Sequence, residues 1–166
     1  MAPAAVGFIG LGQIGSLMAG RLVGHPDGLV VCDLREEAMA PLVEQGATAA
    51  TTPAEVARSC GVVSSMVLDE AQTRDVVTGP DGLLSAAEPG TVIALHSTIR
   101  PETAIELAAV AAELGVAVVD APVSGGFMGA AAGTLATMVG GDDEAVARCW
   151  PVFEHWAAKV VHLGPV

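Results

Sequence analysis

The sequence predicts a doubly wound α/β fold, a mostly parallel sheet with helices on both faces. Three observations predict it. Short apolar runs alternate with helical segments almost without interruption, the β-α-β-α pattern that builds parallel sheets. Runs such as Leu29-Val30-Val31-Cys32 are hydrophobic without alternation, as strands buried on both faces are. The first run, Val6-Gly7-Phe8-Ile9, leads through Gly10-Leu11-Gly12-Gln13-Ile14-Gly15 into a helical segment, so a glycine-rich turn joins a strand to a helix.

Taken in order, Ala5–Ile9 is a strand and Gln13–Val23 the helix after it. Leu29–Cys32 is the second strand, Glu36–Glu44 a helix, and Ala47–Ala50 a short third strand. Pro53 opens a helix at the first-turn position that suits its fixed φ, and Glu55 adds an acidic residue to that turn. Gly61–Val67 is the fourth strand, Glu70–Val77 is helical, and Gly79-Pro80-Asp81-Gly82 makes a turn. Thr91–Leu95 is the fifth strand, Pro101–Leu114 a helix capped by Gly115, and Val116–Val119 the sixth strand. Leu135–Val139 and Val160–Leu163 are further strands, with helix Asp142–Trp156 between them. No repeat, low-complexity tract or linker interrupts the series, so residues 1–166 read as one dinucleotide-binding domain.

That reading comes from the glycines and their setting. Gly10, Gly12 and Gly15 form G-x-G-x-x-G between a strand and a helix, and a second strand ends in Asp33, 23 residues after Gly10. This is the context of the Rossmann-type fingerprint. Gly10 permits the tight turn, Gly12 lets a pyrophosphate approach the backbone, and Gly15 lets the helix pack closely on the strand. The N–H groups of a helix starting near Gln13 face the phosphates. Asp33 accepts hydrogen bonds from the adenosine ribose hydroxyls and repels a 2′-phosphate, which argues for NAD. Arg35 keeps NADP open, because an arginine there can pair with that phosphate.

Composition bounds the partners. The 166 residues are 52% hydrophobic with a mean hydropathy of +0.57, yet Ala121–Gly141, a long uncharged stretch, holds six glycines and reads poorly as a membrane span. No basic segment followed by an apolar core opens the chain, so a cytoplasmic protein is expected. A net charge of −12 argues against nucleic acid or an anionic membrane as partner. An anionic cofactor must then be held by backbone dipoles and a few local groups. Cys32, Cys60 and Cys149 have no metal spacing and read as core residues, and His25, His96, His155 and His162 show no ligand pattern, so no metal is expected.

Two more clusters fall at strand ends, where doubly wound sheets hold ligands. One is His96-Ser97-Thr98 and the other Asp120-Ala121-Pro122-Val123-Ser124-Gly125-Gly126. Thr98 can hydrogen-bond a nicotinamide ribose or amide, and Ser124-Gly125-Gly126 can offer a hydroxyl and successive N–H groups to a small carboxylate. The plain alternatives are a helix cap at Ser97-Thr98 and a turn at Ser124-Gly125-Gly126.

The chain resembles the N-terminal domain of the β-hydroxyacid dehydrogenase family, of the 3-hydroxyisobutyrate dehydrogenase type. The resemblance rests on Gly7–Gly15, on Ser97-Thr98 with Pro101, on Asp120–Gly126, on Gly129–Leu135 and on Met138–Gly141, and it runs from about Val6 to Val166. It implies NAD(P)-dependent oxidation of a small 3-hydroxy acid, or reduction of its semialdehyde. It places Gly10, Leu11, Gly12, Gln13, Ile14, Gly15, Asp33, Arg35, Met66, Leu68 and Thr98 along the cofactor, with Leu68 near the nicotinamide. Ser124, Gly125 and Gly126 hold the substrate carboxylate. Imine reductases resemble the same family, but Ser124-Gly125-Gly126 looks like the hydroxyacid version of the motif.

Two departures shape the expectation. Leu95 stands where the family often has an acidic residue, and its neighbour His96 is either a proton donor near the nicotinamide or a packed, hydrogen-bonded side chain. The family's catalytic lysine follows a further Gly-x-Gly turn leading into an all-helical second domain, and the sequence stops before that point, with Lys159 on a strand as its one lysine. The expectation is a domain that binds NAD(H) and turns over slowly or not at all alone. A non-catalytic nucleotide-sensing or partner-binding module is the competing reading. Self-association through the surface facing the absent helical domain is also expected.

Overall fold

The computed structural model describes residues 5–166, so the first four residues of the expected domain lie outside the described residues. Its sheet is built from β1 (Ala5–Ile9), β2 (Leu29–Cys32), β3 (Thr48–Ala49), β4 (Cys60–Ser65), β5 (Val92–Leu95) and β6 (Ala117–Asp120), all parallel. They lie side by side in the order β3-β2-β1-β4-β5-β6. The order reverses between β1 and β4, and a doubly wound sheet holds its ligand outside the carboxyl ends of the strands at that switch point.

Because β2, β4 and β5 are buried along their whole length, and β1 from Val6 onward, residue alternation splits the core into two layers. Val6, Phe8, Val31 and Val92 point to one side and pack with Met18, Leu22 and Trp156, and Ile9, Val63, Ile93 and Leu95 point to the other and pack with Val56 and Leu107. The helices are α1 (Gly15–Gly20), α2 (Glu36–Val43), α3 (Pro53–Ser59), α4 (Glu70–Thr78), α5 (Pro101–Ala112), α6 (Gly126–Ala132) and α7 (Asp143–Phe153). No helix among the described residues is long and apolar enough to cross a membrane.

The last third of the chain departs from the parallel pattern. β7 (Val123–Ser124) and β8 (Leu135–Gly140) pair antiparallel, and β9 (Ala157–Gly164) runs parallel to β8. Asp120 pairs Gly140, Val123 pairs Thr137 and Ser124 pairs Ala136 in one unbroken antiparallel register. Thus β6, Ala121-Pro122 and β7 form a single bent ribbon along β8, and Ser124 extends past the carboxyl end of β6. Two helices also differ from expectation. α1 begins at Gly15, not Gln13, and ends at Gly20, after which Arg21, Leu22 and Val23 make i→i−3 turns back to Met18, Ala19 and Gly20. α6 was not evident in sequence, since its Gly-Phe-Met-Gly-Ala-Ala-Ala run has no amphipathic stripe.

Candidate functional site

A cleft of about 770 Å³ opens at the β1–β4 switch point. Gly10, Gly12, Gln13, Ile14, Gly15, Asp33, Arg35, Met66 and Leu68 all line it. Gly10 has φ +90°, and a Cβ there would overlap the Met66 carbonyl oxygen, so this turn is closed to any side chain. A Cβ on Gly15 would overlap the Gly10 carbonyl oxygen, so α1 sits hard against the turn. Gly12 is different: beyond its own residue and its two chain neighbours, no atom lies within 4 Å of where its Cβ would stand. Exposed backbone facing an open cleft is the cradle a pyrophosphate needs, and the residues present fit a dinucleotide.

Leu11 does not line the cleft. It is buried, and its backbone ties the glycine turn to β2, since its N–H donates to Asp33 Oδ2 at 2.7 Å. Asp33 Oδ1 accepts from the Arg35 N–H at 2.9 Å and from Arg35 Nε at 3.2 Å, while Arg35 Nη2 donates to the Leu11 carbonyl at 3.3 Å. Burial pushes the Asp33 carboxyl up, but the Leu11 and Arg35 N–H groups and the guanidinium outweigh it, so its pKa falls below the ordinary value and it stays ionised. The Asp33 side chain is 9% exposed and that of Arg35 57%, so the arginine lies over the carboxylate on its solvent side.

The opposite wall is held by side chains whose partners are distant in sequence or lie on the loops before the helices. Ser97 Oγ donates to the Val67 carbonyl at 2.8 Å and accepts from the Val67 N–H at 3.1 Å, which clips the Met66–Leu68 loop to the end of β5. Ser97 therefore does not cap α5, whose N-cap is Arg100 without a side-chain bond. Replacing Ser97 by alanine would leave both Val67 groups without their partner. We expect Ser97→Ala to lose about 1–3 kcal/mol, read as a lower midpoint in urea, and to raise amide exchange at Val67. Leu34, Thr51, Pro53, Gln72, Asp75 and Val76 also line the cleft. Two capping motifs fix these rims: Thr52 and Asp69 cap α3 and α4, while Glu55 and Gln72 reach back to the N–H groups of Thr51 and Leu68. The Thr52-Pro53-Ala54-Glu55 and Asp69-Glu70-Ala71-Gln72 spacings carry that signal in sequence.

Thr98, Ser124, Gly125 and Gly126 lie outside the cleft lining. Thr98 is exposed just beyond β5, and Ser124-Gly125-Gly126 forms an exposed turn beyond β6, with Gly125 at φ +133° and Gly126 at φ +58°. His96 is packed and not a ligand group. Its Nδ1 lies 2.8 Å from the Ala121 carbonyl, which can only accept, so Nδ1 carries the proton and Nε2 accepts from Ser64 Oγ at 3.0 Å. Its ring sits among Phe8, Phe153 and Trp156. Cys32 lines the cleft, but burial, helped by the Asp33 and Glu55 charges, pushes its thiol up to about 11 and keeps it protonated.

Comparison with known proteins finds relatives over nearly the whole chain. An oxidoreductase of Mycobacterium tuberculosis whose activity is uncharacterised is 50% identical over 159 residues, which are 96% of this chain and 54% of that protein. The NAD-dependent L-serine dehydrogenase of Pseudomonas aeruginosa is 42% identical over 160 residues, again 96% of this chain and 54% of that protein. The structure of Mycobacterium tuberculosis 3-hydroxyisobutyrate dehydrogenase with L-serine superposes with a TM-score of 0.90 at 35% identity, covering 99% of this chain and 55% of that one. The chain thus spans about half the length of the relatives it matches. The family model for the NAD binding domain of 6-phosphogluconate dehydrogenase matches residues 5–164, and the chain belongs to that family of NAD-binding domains.

Proposed function

We propose that the chain is the cofactor-binding half of an NAD-dependent dehydrogenase acting on a small 3-hydroxy acid or its semialdehyde. The observation that carries the reading is the sharing of one sheet edge by an anion-ready cleft at the switch point and the Ser124-Gly125-Gly126 turn. The glycine turn holds the pyrophosphate through Gly12, Gln13 and Ile14, and Asp33 takes the ribose hydroxyls once Arg35 swings aside. Met66 and Leu68 flank the nicotinamide end, and Thr98 stands on the next loop, which Ser97 clips to theirs. Ser124 Oγ and the N–H groups of Gly125 and Gly126 receive the substrate carboxylate. When bound, the nicotinamide supplies the hydride acceptor.

His96, Cys32 and Lys159 offer no ready acceptor for the hydroxyl proton. His96 has both nitrogens engaged, Cys32 is held protonated, and Lys159 is exposed on β9. We therefore expect this chain to bind NADH and to oxidise 3-hydroxyisobutyrate slowly or not at all. Calorimetric titration with NADH and NADPH tests the reading, and failure to bind either cofactor overturns it. An ionised Asp33 predicts tighter binding of NADH than NADPH. Asp33→Ala removes the repulsion of a 2′-phosphate, so the NADPH/NADH affinity ratio rises; an unchanged ratio would show that Asp33 does not read the ribose.

A further inference from the structure

We propose that Arg21 is a positioning residue that locks α6, and with it the Ser124-Gly125-Gly126 turn, to the helix behind the glycine loop. The substrate-side consequence rests on the proposed carboxylate site. Arg21 is the C-cap residue of α1, with its own N–H bonded to the Met18 carbonyl. Its side chain crosses to the end of α6, where Nη2 donates to the Ala131 carbonyl at 2.7 Å and Nε to the Ala130 carbonyl at 3.3 Å. Carbonyls in the last turn of a helix lack helical partners and carry the negative end of its dipole, so a guanidinium suits them.

Three features make this more than a surface contact. Gly133, the C-cap of α6, is left-handed at φ 70° and ψ 35°, and a Cβ there would overlap the guanidinium carbon. Glycine here both ends the helix and admits the arginine. Among the described residues no carboxylate lies within 4.0 Å of Arg21, in a chain with 19 acidic residues, so its bonds go to the helix end. Finally, α6 has little apolar anchorage. Its buried residues are Gly129 and Ala130, while Phe127 and Met128 are 55% and 77% exposed. A seven-residue helix is a rod about 10 Å long, so freeing its far end also moves the turn at its start.

The test compares Arg21→Met, which keeps the stem and removes the donors, with Arg21→Lys, which keeps a cation. Amide hydrogen exchange of the whole chain comes first. Gly129–Ala132 should exchange at least tenfold faster in Arg21→Met, with β1 and α1 unchanged and Arg21→Lys in between. Equal exchange in α6 overturns the proposal. The second readout is binding of 3-hydroxyisobutyrate to the NADH-loaded chain. Arg21→Met should weaken the acid at least tenfold and leave NADH within twofold, whereas equal loss of both ligands would make Arg21 merely structural and overturn the positioning role. If the wild-type chain takes up no 3-hydroxyisobutyrate, the Ser124-Gly126 reading fails, and the exchange result alone decides whether Arg21 holds α6.

Discussion

Gly12→Val is expected to weaken NADH binding at least about 100-fold, or about 2.7 kcal/mol, with no loss of thermal stability. The two halves of that expectation have one cause. Beyond its chain neighbours, no atom lies within 4 Å of the position a Cβ would take on Gly12, so the folded chain tolerates the side chain. The space it fills is the cleft itself, where the pyrophosphate must touch backbone. Gly15→Ala is the control with the opposite sign. Its methyl meets the Gly10 carbonyl oxygen, so α1 must shift, and a loss of about 3 kcal/mol or more of folding stability is expected. The pair separates a glycine kept for a ligand from one kept for packing. Calorimetry and urea titration of both variants read the two quantities independently. NADH binding by Gly12→Val at wild-type affinity would show that the cofactor does not lie on this turn.

The parallel half of the fold was legible because its physics is local. Strands covered on both faces must be apolar throughout, and the glycine turn, Pro53 and Pro101 punctuate them. The cleft residues from Gly10 to Asp33 were legible for the same reason, since a strand, a turn and a helix start lie consecutively in the chain. What stayed hidden depends on distant pairing. β7 is two residues long and exists because β8 lies beside it, and α6 is held by its neighbours more than by its sequence. Ser97 looked like a cap because it precedes a helix, yet its partner is 30 residues back at Val67. The role of Arg21 needs a contact 109 residues away, for which no spacing rule exists. His96 carried two readings in sequence, a proton donor or a packed side chain. Only the positions of Ser64 and Ala121 decide for the second.

That decision has a consequence for acid stability. Burial, opposed only by the Ala121 hydrogen bond, pushes His96 down from 6.5 to about 4. The unfolded chain takes up a proton near pH 6.5 that the folded chain refuses until about pH 4, so stability is full above 6.5 and falls as the pH drops through this window. The slope is about 1.4 kcal/mol per pH unit, and the whole window amounts to about 3 kcal/mol. Asp120 works against it, because burial raises its carboxyl and favours the protonated folded form at low pH. Comparing the chain with His96→Gln at each pH removes that contribution. The glutamine costs stability at pH 7.5, since it gives up the ring that packs among Phe8, Phe153 and Trp156. Between pH 7 and pH 4.5, urea unfolding should show a steep loss in the wild type and a shallower one in the variant, so the two curves converge in acid. Parallel curves would show that His96 takes up its proton alike in the folded and unfolded chain, and would overturn this account of the acid instability.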